Sequence, residues 1–207
     1  MASLALEIGP ATLLPKPWTL PAQGLAVYYG CPQVHKLSHY FLPRVLLEGK
    51  ALYLDGANRF DPLLLVRLTQ QRGMDARAFN CNLRIARAFT CFQLTELLCR
   101  APRLLESFPA DVVIVTALPE LYFDEDVREA DAIASFQRGL RALQQLAVRL
   151  PVAVFSDPAS FPTPRRKFFN QVKACAGQMW KFTVTEGSTP AISEERTVWP
   201  ALFSARE

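Results

Sequence analysis

The residues best suited to chemistry lie between an apolar run, Leu25–Tyr29, and a segment of helical character. Gly30 closes the apolar run, and His35 and Lys36 follow shortly before Leu37. A phosphate-binding loop reads G-x-x-x-x-G-K-[ST] between a strand and a helix. Gly30 and Lys36 fill two of its positions, whereas His35 replaces the second glycine and Leu37 replaces the hydroxyl residue. The stretch therefore predicts a vestigial phosphate site at Gly30 and Lys36.

Two interpretations of Lys36 stay open. A lysine beside a helix N-terminus attracts phosphate or sulfate, which predicts residual binding of an anion or a nucleotide. A solvated lysine retained from ancestry explains the same residue without any ligand. Pro32 has no amide N–H, so the loop offers one donor fewer than its length suggests. We expect no other cofactor.

A cationic cluster follows a later apolar run, in a stretch from residue 158 to residue 185 that contains no acidic residue. Adjacent cations beside aromatic side chains combine attraction for phosphates with base stacking. The cluster predicts a nucleic-acid surface made by Arg165, Arg166, Lys167 and Lys173. The alternative is a solvated basic start of a helix, with Phe168 and Phe169 packed in the core.

The opposite charge balance holds over residues 120–131, where six acidic residues face Arg128 alone. Such a loop repels a nucleic-acid backbone. It predicts either a docking surface for a basic protein or a solvated cap before the next helix.

The 207 residues, half of them hydrophobic and a fifth charged, indicate one globular domain. No apolar run approaches the roughly 20 residues of a membrane span, and the N-terminus does not resemble a secretory signal. The five cysteines form no C-x-x-C pair, and the chain has only two histidines. We therefore expect reduced thiols, no metal site, no membrane association, and a cytoplasmic or nucleoid-associated protein.

Apolar strands alternate with helical segments, a pattern typical of an α/β fold with a mostly parallel sheet flanked by helices on both faces. We predict an irregular arm over residues 1–24, a core domain over 25–186, and a tail over 187–207 packed on the core through Trp199, Leu202 and Phe203. Strands are expected at 25–29, 51–55, 83–86, 111–116, 152–155 and 179–185. Helices are expected at about 34–48, 63–71, 90–105, 132–150 and 163–175, with Pro43 kinking the first or marking its boundary.

Several segments, in this order, resemble the core of the RecA-like recombinases, in particular the RadA-type branch and its paralogs. The segments are Tyr53 to Pro62, Gln71 to Asp75, Ile85 to Thr90 with Gln93, Val112 to Thr116 with Leu121-Tyr122, and Ala147 to Val154. The resemblance spans roughly residues 24–186 and implies a RecA-like P-loop NTPase fold.

The same resemblance places Thr116 at the Walker B carboxylate and Ala57 at the glutamate that polarises the attacking water. With Leu37 at the metal-binding hydroxyl, the groups that hold Mg²⁺ and activate water are all replaced. Phosphoryl transfer depends on both, so we expect no hydrolysis.

The leading hypothesis is a non-catalytic accessory protein in DNA recombination or repair, which binds a protein partner, such as a homologous subunit, and DNA through residues 161–173. An oligomer is a further expectation. One alternative is an atypical nucleotide-binding ATPase that uses Lys36 with Asp124 or Asp126 to hold metal. Another is a scaffold subunit without nucleic-acid contact.

Overall fold

A computed structural model describes residues 23–71, 73, 75–184 and 191–197 of the chain. Most of the predicted N-terminal arm lies outside these ranges, as do the predicted tail anchors Trp199, Leu202 and Phe203.

Over the described residues a single sheet of seven strands runs through the molecule in the order β3-β2-β4-β5-β1-β6-β7. The first six strands pair in parallel, and β7 pairs antiparallel with β6. The strands are β1 (Gly24–Gly30), β2 (Ala51–Asp55), β3 (Leu83–Arg87), β4 (Val112–Thr116), β5 (Pro151–Ser156), β6 (Gln178–Thr183) and β7 (Ala191–Thr197).

Helices connect the parallel strands, and short 3-10 turns lie at Glu120–Phe123, Pro158–Ser160 and Pro164–Arg166. The helices are α1 (Val34–Glu48), α2 (Pro62–Gln70), α3 (Ala76–Asn82), α4 (Cys91–Ser107), α5 (Glu129–Ala147) and α6 (Lys167–Cys175). Side-chain caps start two of them. Asp61 accepts the amides of Leu63 and Leu64 at α2, and Thr90 accepts that of Gln93 at α4.

The central strands are buried on both faces, which explains their continuous apolar sequences. Alternate residues of β1 enter different cores because successive side chains point to opposite faces. Leu25 and Val27 pack in the core that includes α4, α5 and α6. Ala26 and Tyr28 pack in the core that includes α1. The predicted α/β architecture, with helices on both faces, is confirmed.

The differences from the predicted elements are local. Pro43 lies inside α1 and does not end it. The short helix α3 was not expected, because its sequence carries no apolar period long enough to indicate a helix. Residues 191–197, assigned to the tail, form β7 and extend the sheet.

No helix in the described part of the chain is both long and apolar enough to cross a membrane.

Candidate functional site

The loop after β1 is short and already uses its own amides. Gly30 has a φ of +153°, and a Cβ there would lie 1.9 Å from the carbonyl oxygen of Phe182, so only glycine fits. The helix begins at Val34, whose amide donates to the carbonyl of Cys31 at 2.9 Å. The amide of Lys36 donates to the carbonyl of Gln33, also at 2.9 Å. A phosphate cradle needs free amides, and these two are occupied.

Lys36 itself lies exposed in the first turn of α1. The structure therefore places its charge in solvent near a helix N-terminus, without a surrounding ring of donors. Gly30 and Lys36 remain a prediction for an anion site, one that the internal bonding of the loop disfavours.

His35, which stands at the position of the second loop glycine, has a buried side chain. His35 is 5% exposed, and its Nε2 lies 3.6 Å from Oε1 of Glu120. Its Nδ1 is buried and has no hydrogen-bond partner in the described structure. Burial, and secondarily the charge of Arg59, lower the pKa of His35 to about 4, so the imidazole is neutral at physiological pH.

Glu120 is the second member of this pair. Its carboxylate accepts the hydroxyl of Ser156 at 3.1 Å and, at short range, the amide of Asp157. Burial raises the pKa of Glu120 to about 7. Glu120 belongs to the acidic stretch for which the sequence predicts a docking surface or a solvated cap, and the structure buries it instead. The apolar residues on both sides, Leu118 and Tyr122, were the available signal that it turns inward.

A second hydrogen-bond network joins Ala57 and Thr116, the two positions at which the resemblance implies that a catalytic carboxylate is replaced. The hydroxyl of Thr116 donates to Oδ1 of Asp55 at 3.2 Å and accepts the amide of Ala57 at 3.1 Å. The Walker B position and the water-activating position are therefore tied directly to each other, through a neutral hydroxyl and a backbone amide.

Asp55 is the hub of this edge of the sheet. It is fully buried and accepts the amides of Arg59 at 3.3 Å and Phe60 at 3.1 Å. Nε of Arg87, on the neighbouring strand β3, lies 3.6 Å from its Oδ2. These contacts give Asp55 a structural role, because its carboxylate holds the turn after β2 in place.

A third buried network, not anticipated from sequence, involves the other histidine. His39 Nε2 accepts the amide of Asp61 at 2.8 Å, which fixes the start of α2. Ser38 lies 2.6 Å from the hydroxyl of Tyr53 and donates to the carbonyl of His35, also at 2.6 Å. Ser38 is the hydroxyl residue next to Leu37, but it faces the sheet and not the loop.

The structure separates Arg165 from the other three residues of the cationic cluster. Arg165 is 8% exposed, and its guanidinium donates to three carbonyls of the acidic loop. These are Tyr122 at 3.1 Å, Asp124 at 2.5 Å and Val127 at 2.6 Å. The expectation that Arg165 contacts nucleic acid is corrected, because its guanidinium is buried and already donates three hydrogen bonds to the carbonyls of this loop. It holds the loop instead.

The other three cations keep accessible charge. Arg166 is exposed, and Lys167 is exposed and pairs with Glu129 at 3.1 Å. Lys173 lies with its Nζ 5.5 Å from the centre of the Phe169 ring. The neighbouring Phe168 is 1% exposed and packs in the core, so it cannot stack on a base. A nucleic-acid contact by Arg166, Lys167 and Lys173 stays a prediction.

A hydrogen bond within the acidic loop, residues 120–131, stabilises its turn: Oδ1 of Asp124 accepts the amide of Asp126 at 3.0 Å. Among the described residues, no group of three or more histidine, cysteine or acidic side chains is arranged to hold a metal ion. The alternative in which Asp124 or Asp126 joins Lys36 around a metal therefore gains no support from this geometry.

Comparison with known proteins gives the family. The Rad51 family model matches residues 44–165, a segment longer than half of the chain. The match includes Ala57 and Thr116 but begins after the loop that contains Gly30 and Lys36.

Individual relatives agree with the model. The chain is 30% identical to the DNA repair protein RAD51 of Saccharomyces cerevisiae over 110 residues, which are 52% of this chain and 28% of that protein. It is 29% identical to the DNA repair protein RAD51 of Mycosarcoma maydis over 110 residues, 52% of this chain and 32% of the relative. The chain thus matches about a third or less of the length of these relatives. With the parallel sheet and the matched segment together, the chain belongs to the Rad51 family and has its RecA-like core.

Proposed function

We propose that this chain is a non-catalytic member of the Rad51 family that acts in DNA recombination or repair through protein partners. The relatives are DNA repair proteins, which supports the biological setting. We further propose that it acts in the cytoplasm or on the nucleoid.

One observation carries the non-catalytic part of this proposal. The position of the second loop glycine is filled by His35, which is buried beside Glu120 and not open to a ligand. A phosphate placed there would have to displace a buried side chain and separate it from a carboxyl group. Packing therefore opposes the binding of a triphosphate at the position that a phosphate-binding loop provides, whether or not hydrolysis could follow.

The residues at the Walker B and water-activating positions give a second argument against hydrolysis. Phosphoryl transfer needs a metal ion to neutralise developing charge and a group to orient water. Thr116 offers a hydroxyl already bonded to Asp55, and Ala57 offers only its amide. Neither supplies the negative charge that Mg²⁺ ligands provide.

A protein partner has a suitable surface at the far edge of the sheet. In the described sheet β3 has one neighbour, β2, so its outer edge is open for pairing with an extended segment. Apolar side chains lie on and after this strand, with Ile85 38%, Phe89 61% and Phe92 50% exposed. An open edge beside exposed aromatic side chains fits a strand-forming segment that also inserts an apolar side chain. We propose this edge as the docking site for a homologous subunit or a repair protein.

DNA binding is a weaker part of the proposal. Arg166, Lys167 and Lys173 support it, whereas Glu129 neutralises Lys167 and the acidic loop lies nearby. Binding through phosphates has a steep dependence on salt.

The test of the proposed function has two arms. Mg²⁺-dependent ATP turnover should be absent, with and without single-stranded DNA. Capture of partners from the native cell should succeed with the intact chain and depend on the β3 edge. Clear turnover stimulated by DNA overturns the non-catalytic assignment, and capture that is insensitive to the β3 edge overturns the docking site.

A further inference from the structure

The β3 edge of the sheet carries charge of one sign. From Ala76 to Thr95, a stretch that contains β3 and the start of α4, the sequence has three arginines and no acidic residue. Two of these arginines, Arg84 and Arg87, lie on β3 with exposed side chains. An open strand edge can pair with another chain, so the charge on this edge affects which segment binds there.

Arg87 is committed to contacts within its own chain. Its Nε lies 3.6 Å from Oδ2 of Asp55. Its two terminal nitrogens donate to the side chain of Asn58 and to the carbonyl of Phe60, each at 3.3 Å. The buried carboxylate of Asp55 therefore balances the charge of Arg87.

Arg84 has no such counter-charge. Its Nη1 donates to the neutral hydroxyl of Ser107 at 3.3 Å, and its Cζ lies 4.7 Å from the centre of the Phe108 ring. Nζ of Lys50 lies 5.6 Å from the centre of the same ring, so a second cation adds to the charge. The carboxylate of Asp111 accepts the backbone amide of Lys50. Neither cation forms an ion pair within the described part of the chain.

The other end of this edge is aromatic. Phe89 and Phe92 follow β3 and expose half or more of their side chains. Arg84 and Phe89 are five positions apart, which corresponds to roughly 16 Å of extended chain. A segment that pairs with β3 therefore meets cations at one end and aromatic side chains at the other.

A second copy of the same edge is a poor occupant. Edge-to-edge pairing of two β3 strands brings the arginines of both strands together, and like charges on paired strands destabilise the pairing. An acidic residue opposite Arg84 has the reverse effect, because cross-strand pairs of opposite charge stabilise a sheet. The charge of the edge therefore favours a segment of different sequence.

We propose that Arg84 selects the segment that docks on the β3 edge. The segment is an extended stretch of a partner protein, with an acidic residue against Arg84 and an apolar residue about five positions away against Phe89. Lys50 adds attraction for the acidic end. This inference rests on the proposed docking site at β3 and adds the chemistry of the segment that the site accepts.

The test uses short, labelled, threonine-rich peptides that carry one glutamate and one phenylalanine about five positions apart, in either order. Fluorescence anisotropy with the full chain measures their affinity. Replacing the glutamate of the peptide by lysine should weaken binding about fivefold. Arg84→Glu should reverse this preference, because it inverts the charge of the edge. The preference should shrink at high salt, since both charges are exposed.

Arg149→Glu is the matched control. Arg149 is an exposed arginine that precedes β5, and β5 lies three strands away from β3 in the sheet. The variant changes the net charge by the same amount as Arg84→Glu. It should alter the preference between the peptides less than about twofold, because salt screens distant charges.

Equal affinity of the glutamate and lysine peptides for the unmodified chain overturns the inference, and so does an equal effect of the two arginine variants. Absence of binding by every peptide at millimolar concentration also overturns it. The comparison of peptides on the unmodified chain needs no variant, so it decides the question even if Arg84→Glu fails to fold.

Partner capture separates this inference from the docking site on which it rests. Capture that is lost when Phe89 and Phe92 are charged, but is unchanged in Arg84→Glu, retains the docking site and overturns the selection by charge. Capture that is insensitive to all three residues overturns the docking site itself.

Discussion

Nε2 of His35 lies 3.6 Å from Oε1 of Glu120, and burial shifts the pKa values of these two groups in opposite directions, towards their neutral forms. The loop position at which a phosphate-binding loop has a glycine is therefore filled by the buried imidazole of His35, with the carboxyl group of Glu120 beside it. The pair links α1 to the turn after β4, and both side chains are buried.

The buried pair predicts opposing dependences of stability on pH. The pKa of Glu120 rises from an ordinary value of 4.5 to about 7, so its contribution falls as pH rises through that window. The pKa of His35 falls from 6.5 to about 4, so its contribution rises with pH between those values. Each amounts to about 3 kcal/mol over its whole window.

Single variants separate the two contributions. Relative to the unmodified chain, Glu120→Gln should gain stability as pH rises from 4.5 to 7, and His35→Gln should lose stability as pH rises from 4 to 6.5. Urea unfolding at several pH values measures both. Parallel pH curves for the two variants and the unmodified chain would show that these groups do not titrate as buried residues.

Arg165 should matter for stability and not for DNA binding. Arg165→Ala removes the donors of three carbonyls and should destabilise the fold by about 3 kcal/mol. Arg166→Ala, an exposed neighbour of the same type, should change stability by less than about 0.5 kcal/mol. Denaturant unfolding checks both. Equal, small effects would place the guanidinium of Arg165 in solvent.

Thr116 should act through its hydroxyl. Thr116→Val keeps the shape but leaves Oδ1 of Asp55 and the amide of Ala57 without this partner, at a cost of about 2 kcal/mol. Thr116→Ser keeps the hydroxyl and loses a methyl group, so it should destabilise by only about 1 kcal/mol. Unfolding midpoints distinguish the two. A valine variant at least as stable as the serine variant would contradict this network.

The β3 edge should determine partner capture. A glutamate at Phe89 and at Phe92 places charge on the exposed aromatic surface and should abolish capture of partners from the native cell. Val148→Glu is the control, because Val148 is 55% exposed and follows α5, far along the chain from β3. Partners retained by the double variant would move the docking site elsewhere.

The central strands of this fold were predictable because β1, β2, β4 and β5 are largely apolar runs buried on both faces, as in Val112–Thr116. The site was less predictable. A sequence shows that His35 replaces a glycine, but not that it turns inward to meet Glu120, a contact made across separate elements. Arg165 was grouped with Arg166 because adjacent residues of one type look alike. Only the chain path of the acidic loop separates them, by bringing three carbonyls to one guanidinium.

The salt dependence of DNA binding offers a further check on the cationic surface. If Arg166, Lys167 and Lys173 contact phosphates, the slope of log affinity against log salt should decrease by roughly one for each cation replaced by alanine. Fluorescence anisotropy with a labelled single strand measures the slope. An unchanged slope in the triple variant would favour a scaffold without nucleic-acid contact.

The most direct test of the central claim is ATP turnover by the purified chain with Mg²⁺, with and without single-stranded DNA, beside a Lys36→Ala variant. We predict no turnover above the buffer rate in either condition and no difference between the two proteins, because His35 is buried beside Glu120 and the hydroxyl of Thr116 donates to Asp55. Turnover that rises with DNA and disappears in Lys36→Ala would contradict the account.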